Sequence, residues 1–306
     1  MWKPRSRPDT FQGAGEQALA WLQEVQTAYG VPVATEVATA EHAQAAMRAG
    51  MDYLWIGART SANPIAVQAI ADAIIAEGQK SEDRSLHSLK GLFIKNPVNA
   101  DAELWLGNIA RLAQTGAPVA AIHRGCNHRP CWAMAHTVRS ARPDIPMLLD
   151  PSHMSGEAAQ VPVLLRHVEE LGLDGAMIEV HAHPEDALSD AAQQIRPEDL
   201  RHWLTDRSTH RPTRTDRNAE HVELNWLRAE IDELDDRLWE TIAARMEVSG
   251  RIGAWKRAHG IAALQPERYQ AIKERLQENG GKLGLPDTFI ETIWNTIHEE
   301  SLRKQA

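Results

Sequence analysis

Short apolar runs alternate with longer amphipathic stretches through the first two thirds of the chain. Six runs stand out, at residues 31–37, 53–57, 91–95, 119–123, 147–150 and 175–179. Each spans four to seven residues and is apolar on both faces, as a strand buried in a parallel sheet must be. Helical periodicity fills the gaps, for example at 40–49, 64–76 and 102–115. Glycines stand between helix and strand at Gly30, Gly50, Gly116 and Gly172, where a helix C-terminus calls for a left-handed residue. Strand–helix alternation over about 200 residues predicts an α/β domain.

A polar residue closes nearly every predicted strand. Glu36 ends the first, Arg59 follows the second and Lys95 ends the third. His123 and Arg124 end the fourth, Asp150 and His153 the fifth, and Glu179 and His181 the sixth. In a (β/α)8 barrel the active site is built at the C-terminal strand ends, so this placement predicts one there.

The texture changes around residues 201–218, where Arg207, Arg211, Arg214 and Arg217 mix with Ser, Thr, Asp and Pro212. That stretch reads as a linker. Beyond it, Leu224, Leu227, Ile231, Leu234, Leu238 and Ile242 recur at three and four residues, the period of one helical face. The helix is predicted to run to His259, and two shorter ones to cover 266–277 and 286–304, separated by Gly280 and Gly281. Three helices of unequal length cannot bury the long apolar face alone, which predicts a homodimer. The expected divisions are 1–203, a linker at 204–219, and a helical domain at 220–306.

Composition narrows the function. Lys and Arg total 33 against 42 Asp and Glu, a formal charge of −9. Without a basic face, nucleic-acid and anionic-membrane partners are not expected. No apolar run approaches a membrane span, and residues 1–5 lack a signal-peptide pattern. Cys126 and Cys131 are the two cysteines, which excludes a disulfide scaffold and suggests a reducing cytoplasm.

His123, His153, Glu179 and Asp190 have metal-ligand character, and imidazole with carboxylates suits Mn, Fe, Zn or Co better than Ca. Lys3, Arg5, Arg59, Lys95 and Arg124 are expected at the same mouth. That many cations around one cavity would repel unless an anionic ligand resides there. Two phosphorylated or carboxylated substrates with a divalent metal fit better than hydride or acyl transfer. No GxGxxG or Walker motif suggests a nucleotide. In the helical part, Arg228 and Arg245 lie 17 residues apart on similar faces of one helix. Arg245 interrupts the apolar seam, and a buried Arg needs either an anionic ligand or an interhelical carboxylate.

Eight strings follow one another over about residues 1–203. They are Lys3-Pro4-Arg5-Ser6, Ala34-Thr35-Glu36-Val37, Trp55-Ile56-Gly57-Ala58-Arg59-Thr60 and Lys95-Asn96-Pro97, then Ile122-His123-Arg124-Gly125, Asp150-Pro151-Ser152-His153, Ile178-Glu179-Val180-His181 and Ser189-Asp190-Ala191. Together they resemble the type I 3-deoxy-D-arabino-heptulosonate-7-phosphate (DAHP) synthases, in the branch close to the 3-deoxy-octulosonate-phosphate synthases. The Lys-Pro-Arg string favours the heptulosonate enzymes, with Ser6 where Thr is usual. The resemblance implies a TIM-type barrel condensing phosphoenolpyruvate with erythrose 4-phosphate. It implies Lys3, Lys95, Arg59 and Arg124 on phosphoenolpyruvate, Arg5 and Ser6 on the erythrose phosphate, and a divalent metal at His153, Glu179 and Asp190. It leaves His123 to order a water. The family's first strand, whose Gly-Pro-Cys supplies a metal ligand, has no counterpart here. Six strands plus a stub at residues 2–5 are therefore expected, giving an incomplete barrel with a three-ligand metal site.

Leu227-Arg228, Ile231, Leu234, Asp235, Arg245, Gly253, Lys256, Arg268, Glu300-Ser301 and Gln305 resemble the all-helical chorismate mutases. That likeness implies conversion of chorismate to prephenate. Arg228 (from a partner subunit), Arg245 and Arg268 would grip carboxylates, Lys256 and Gln305 would donate to the ether oxygen, and Ser301 would touch substrate. Gln265 and Tyr269 stand where Asp and Glu are common, and that Glu contacts the substrate hydroxyl. The function expected is a bifunctional shikimate-pathway enzyme. The alternatives are an active mutase with a catalytically silent, regulatory barrel, and a non-enzymatic sensor of chorismate or prephenate.

Overall fold

The six apolar runs form one parallel sheet: β1 (Ala34–Val37), β2 (Tyr53–Ile56), β3 (Gly91–Lys95), β4 (Val119–His123), β5 (Met147–Leu149) and β6 (Gly175–Ala176). In the computed structural model, residues 2–5, 7–80, 89–208 and 219–305 are described. Strands neighbour one another in chain order, and every pairing is parallel. Among the described residues the sheet is open, with β1 and β6 at its edges. The stub is present: Trp2 makes an antiparallel bridge to Gly13 and stacks on His42 at 4.1 Å.

Local chemistry sets the helices between the strands. Thr39 caps Ala40–Arg48 by accepting from the His42 N–H, and Asp101 caps Ala102–Ala113 by accepting from the Leu104 N–H. Gly30 ends Gln17–Tyr29 at φ 63°, where a side chain would be strained. Val67 and Ile70 of the helix Pro64–Lys80, and Trp105, Ile109 and Leu112 of Ala102–Ala113, are buried with Leu54, Ile56, Leu92 and Ile94 of the sheet. Removing that apolar surface from water supplies the main driving force for this unit.

Register decides which strand residues face the mouth. Lys95 aligns with Ile122, and Ile122 with Leu148, so all three share one face. His123, one residue on, turns to the other face. It is fully buried with its ring 6.2 Å from Trp105 and 5.4 Å from Trp132, and burial pushes its imidazole down to about 4. His123 thus packs with Trp105 and Trp132, off the face that Lys95, Ile122 and Leu148 share.

The chain falls into two units, Met1–Glu230 and Ile231–Ala306, with the boundary inside the long helix Ala219–Ala258. The first turns of that helix belong to the first unit. Trp226 is buried, donates Nε1–H to the Leu171 carbonyl at 3.1 Å, and stacks on His136. His136 in turn lies 2.7 Å from Glu230 and 3.1 Å from Glu223. Of the stretch read as a linker, residues 204–208 lie in the helix Pro197–Ser208, and residues 209–218, with Arg211, Arg214 and Arg217, lie outside the described residues.

The second unit adds the helices Pro266–Lys282 and Asp287–Gln305. Contrary to expectation, Gly280 and Gly281 do not separate them but lie inside the first. A Cβ at Gly280 would sit 2.4 Å from Ile290 Cδ1, so the glycine lets Ile290 pack closely here, and the left-handed turn falls at Gly284, φ 77°.

Candidate active sites

In the first unit, His153, Glu179 and Asp190 each offer a ligand atom within 4.8 Å of the others. Asp150 at the end of β5 caps the short helix Pro151–Ser155, accepting from the His153 N–H at 3.0 Å, and also holds His153 Nδ1. That leaves His153 Nε2 facing Glu179 at 3.7 Å. Glu179 accepts from Gln193 at 2.8 Å. A carboxylate orienting a ligating imidazole is a common supporting arrangement at metal sites.

Cations close over this cluster. Lys3 Nζ lies 2.6 Å from Asp190 and 3.7 Å from Glu179, and donates to Ser189 at 2.8 Å. Arg5 grips both oxygens of Asp190. Burial alone would raise the Asp190 carboxyl, but Arg5 and Lys3 hold it well below the usual range. Deeper, Lys95 and Asp150 form an ion pair at 2.5 Å, and Lys95 lies over the Trp55 ring. Burial opposes the Asp150 charge, yet Lys95 and His153 keep its carboxyl far down. Asn96 fixes the next loop: its Oδ1 accepts from the Arg124 N–H at 2.7 Å, and its Nδ2 donates to the Gly125 carbonyl. Burial pushes the Arg124 guanidinium down, with Asp150 as counter-charge and Arg59 close enough to oppose it.

Arg59, Lys95 and Arg124 from the strand ends thus gather with Lys3 and Arg5 from the stub and with the three candidate ligands. Ser6 lies outside the described residues. Two further members were visible only as polar strand ends, Asp150 and Glu36. Glu36 fits against Gly57, where a Cβ would lie 2.1 Å from Oε1. Burial pushes its carboxyl up to about 7, against the pull of Lys95, Lys3 and Arg59. The folded state therefore holds a proton on Glu36 between the ordinary carboxylate range and about 7, and this group's contribution to stability falls as pH rises through that window. In metal-free buffer, Glu36→Gln should gain melting temperature relative to the wild type progressively from about pH 4.5 to about 7, the window between the ordinary and the raised value. A constant difference would refute the protonated assignment.

In the second unit, a cavity of 340 Å³ is lined by Arg245, Lys256, Arg268, Ser301 and Gln305, all expected, with Tyr269, Trp294 and His298 beside them. Arg245 donates to Ser301 Oγ and lies over the Trp294 ring, 5.5 Å from its centroid. Burial pushes its guanidinium down, and none of the cavity's lining residues is acidic. Lys256 reaches Gln305 Oε1 at 3.1 Å and the Ala263 carbonyl at 2.6 Å. A Cβ at Gly253 would lie 2.5 Å from Gln305 Cα, so glycine there lets Gln305 seat. Arg228, in the first unit, is exposed and does not line this cavity. A larger cavity of 840 Å³, lined by Pro162, Arg166, Glu185, Asp199 and Trp203 among others, contains none of the expected site residues.

These geometries agree with what the chain is similar to. The DAHP synthetase I family matches residues 1–76 and 122–211, and the family of chorismate mutase type II matches 227–306. A 4-amino-4-deoxychorismate mutase of Streptomyces venezuelae is 34% identical over 85 residues, 28% of this chain and 82% of that protein. A phospho-2-dehydro-3-deoxyheptonate aldolase of Thermotoga maritima is 29% identical, over 63% of this chain and 55% of its own length. A crystal structure of the T. maritima DAHP synthase superposes with a TM-score of 0.56 at 25% identity, covering 68% of this chain and 58% of that one. The chain thus spans little more than half of these synthase relatives.

Proposed function

We propose, because the chain belongs to the DAHP synthetase I family and ends in a chorismate mutase type II domain, that it catalyses two reactions of the shikimate pathway. These are the condensation of phosphoenolpyruvate with erythrose 4-phosphate and the rearrangement of chorismate to prephenate. The observation that carries the reading is two separate cationic pockets of different design. One mixes cations with a carboxylate–imidazole cluster, and the other has cations without any lining carboxylate.

In the first pocket, Lys95 and Arg124, with Lys3 and Arg59, would hold the phosphate and carboxylate of phosphoenolpyruvate, and Arg5 the phosphate of the aldose. Cancelling the repulsion between two anions lets the enol carbon approach the aldehyde carbon. The C–C bond forms, water adds at C2, and phosphate leaves. His153, Glu179 and Asp190 fit a divalent ion of the Mn, Fe, Zn or Co group by donor type and by their 4.8 Å convergence. Such an ion, when bound, polarises a carbonyl oxygen.

In the second pocket, Arg245 and Arg268 would grip the two carboxylates of chorismate, while Lys256 and Gln305 donate to the ether oxygen as its bond breaks. No nucleophile or proton transfer is needed, because holding the reactive conformer and stabilising the developing charge lowers the barrier. Leu224, Leu227, Ile231, Leu234 and Leu238 are 41–56% exposed along the long helix. A second copy of the chain would cover this stripe and supply Arg228, making a homodimer. No described helix is long and apolar enough to cross a membrane. Cys126 and Cys131 form no disulfide, which supports a cytoplasmic setting.

The test assays both products on the full chain, with Mn added for the first. Formation of heptulosonate phosphate and prephenate is expected. A second reading, a mutase with a silent barrel, is favoured by the engagement of Asp190 with Lys3 and Arg5. Prephenate formation with heptulosonate formation at background would select it.

A further inference from the structure

The mutase pocket has a neutral polar end that none of the expected roles uses. It is built from Tyr269, on the helix Pro266–Lys282, and from Trp294 and His298, one turn apart on Asp287–Gln305. The rings pack together: His298 lies 4.6 Å from Tyr269 and 5.4 Å from Trp294 between centroids. Tyr269 gives its hydroxyl proton to Asn295 Oδ1 at 2.6 Å. His298 Nε2 and Trp294 Nε1 are buried, and neither has a hydrogen-bond partner among the described residues. Trp294 is only 5% exposed. Buried polar atoms are almost always paired, and these two belong to residues that line the cavity, so a ligand that turns the His298 ring toward it would complete the missing bond.

The charge around them limits what that ligand presents. Arg245, Lys256 and Arg268 line the same cavity, and no acidic side chain does. Glu299, the next residue on the helix, is absent from this lining; it lines a neighbouring cavity, to which Tyr269 and His298 also contribute. Burial, with Arg245 and Lys256 nearby, holds the His298 imidazole below its usual range against the opposing charge of Glu299, so the ring is neutral. An ammonium group in the mutase cavity would meet three cations and no lining carboxylate. A hydroxyl meets a neutral imidazole with which it can pair, and it brings no charge.

We infer that His298 is the specificity-determining residue of the mutase pocket, pairing through Nε2 with a hydroxyl on the substrate's ring, and that the pocket thereby favours a ring hydroxyl over a ring amine. This rests on the mutase reading above. It separates this chain from a relative named for an amino-substituted substrate, despite their likeness in sequence. Tyr269, with its proton on Asn295, can offer only a neutral acceptor oxygen and none of the charge that a carboxylate would bring at its position.

The experiment compares kcat/KM for chorismate and for 4-amino-4-deoxychorismate, using the full chain. The wild type should favour chorismate by at least about tenfold, the discrimination of one well-formed polar contact. His298→Phe keeps the ring packing but removes Nε2. It should lower kcat/KM for chorismate about ten- to a hundredfold, with little change for the amine, collapsing the ratio. His298→Gln, which returns a polar atom near the Nε2 position, should restore part of it. Equal losses on both substrates, or no loss on chorismate, would overturn the assignment. So would a wild-type preference for the amine, which is read without any variant. Failure of the wild type to turn over either compound would instead overturn the mutase reading on which the assignment depends.

Discussion

Arg245→Ala is expected to reduce chorismate turnover about a thousandfold in kcat/KM while leaving the helical unit as stable as before, or slightly more so. The two halves of that expectation have one cause. Arg245 is partly buried with no carboxylate among its neighbours in the cavity, only the Ser301 hydroxyl and the face of Trp294. A guanidinium held that way is a standing cost in the empty protein, visible as the downward push of burial on its pKa. Alanine relieves the cost, so the melting temperature should not fall. The substrate loses its fork of donors to a carboxylate, at a site where water cannot compensate, and turnover collapses. Lysine should recover little, because a point charge does not reproduce the planar pair of hydrogen bonds. Prephenate formation and thermal melting on the same sample check both halves. Turnover within a few-fold of wild type would remove Arg245 from the machinery.

Part of this is legible in the sequence for identifiable reasons. Strands apolar on both faces between helices leave little alternative to a covered parallel sheet, and the six runs are six strands. Lys95, Arg124 and His153 are recognisable because polar residues that close apolar runs stand out. What register controls is not legible. The step from Ile122 to His123 reverses the face, and only the alignment of Lys95, Ile122 and Leu148 shows which way each residue points. The same alignment brings Asp150 to Lys95, a contact across 55 residues of chain. Glu36 shows in the sequence only as a polar strand end, and its raised pKa comes from burial that the sequence does not carry. Nothing in the sequence singles out Trp294 and His298, which stand one helical turn apart. Their orphan nitrogens appear only in three dimensions. Gly280 and Gly281 look like a break, and close packing against Ile290 keeps at least the first inside a helix.

Lys95→Met should affect the first unit twice over, in stability and in turnover, and the two effects can be separated. Lys95 and Asp150 are only 4% and 1% exposed in their side chains. Removing the ammonium strands a carboxylate in the interior, a loss of about 3–5 kcal/mol, toward the low end because His153 remains 3.0 Å from Asp150. The pH dependence has a definite sign. The Asp150 carboxyl is held far down in the folded protein, so its contribution is complete above the ordinary carboxylate range and is lost as pH falls below it. Lys95→Met should therefore be most harmful near neutral pH and progressively less so in acid. Pairing it with Asp150→Asn removes the stranded charge and should return much of the melting temperature. Heptulosonate formation should stay at background in both variants, because Lys3, Arg59 and Arg124 remain but the buried ammonium that completes the grip on phosphoenolpyruvate is gone. If the double variant regained turnover along with stability, Lys95 would be a structural partner of Asp150 and not a substrate contact. If the single variant kept both, the buried pair would not be the keystone of the strand ends, and the anion would be held by Lys3, Arg59 and Arg124 alone.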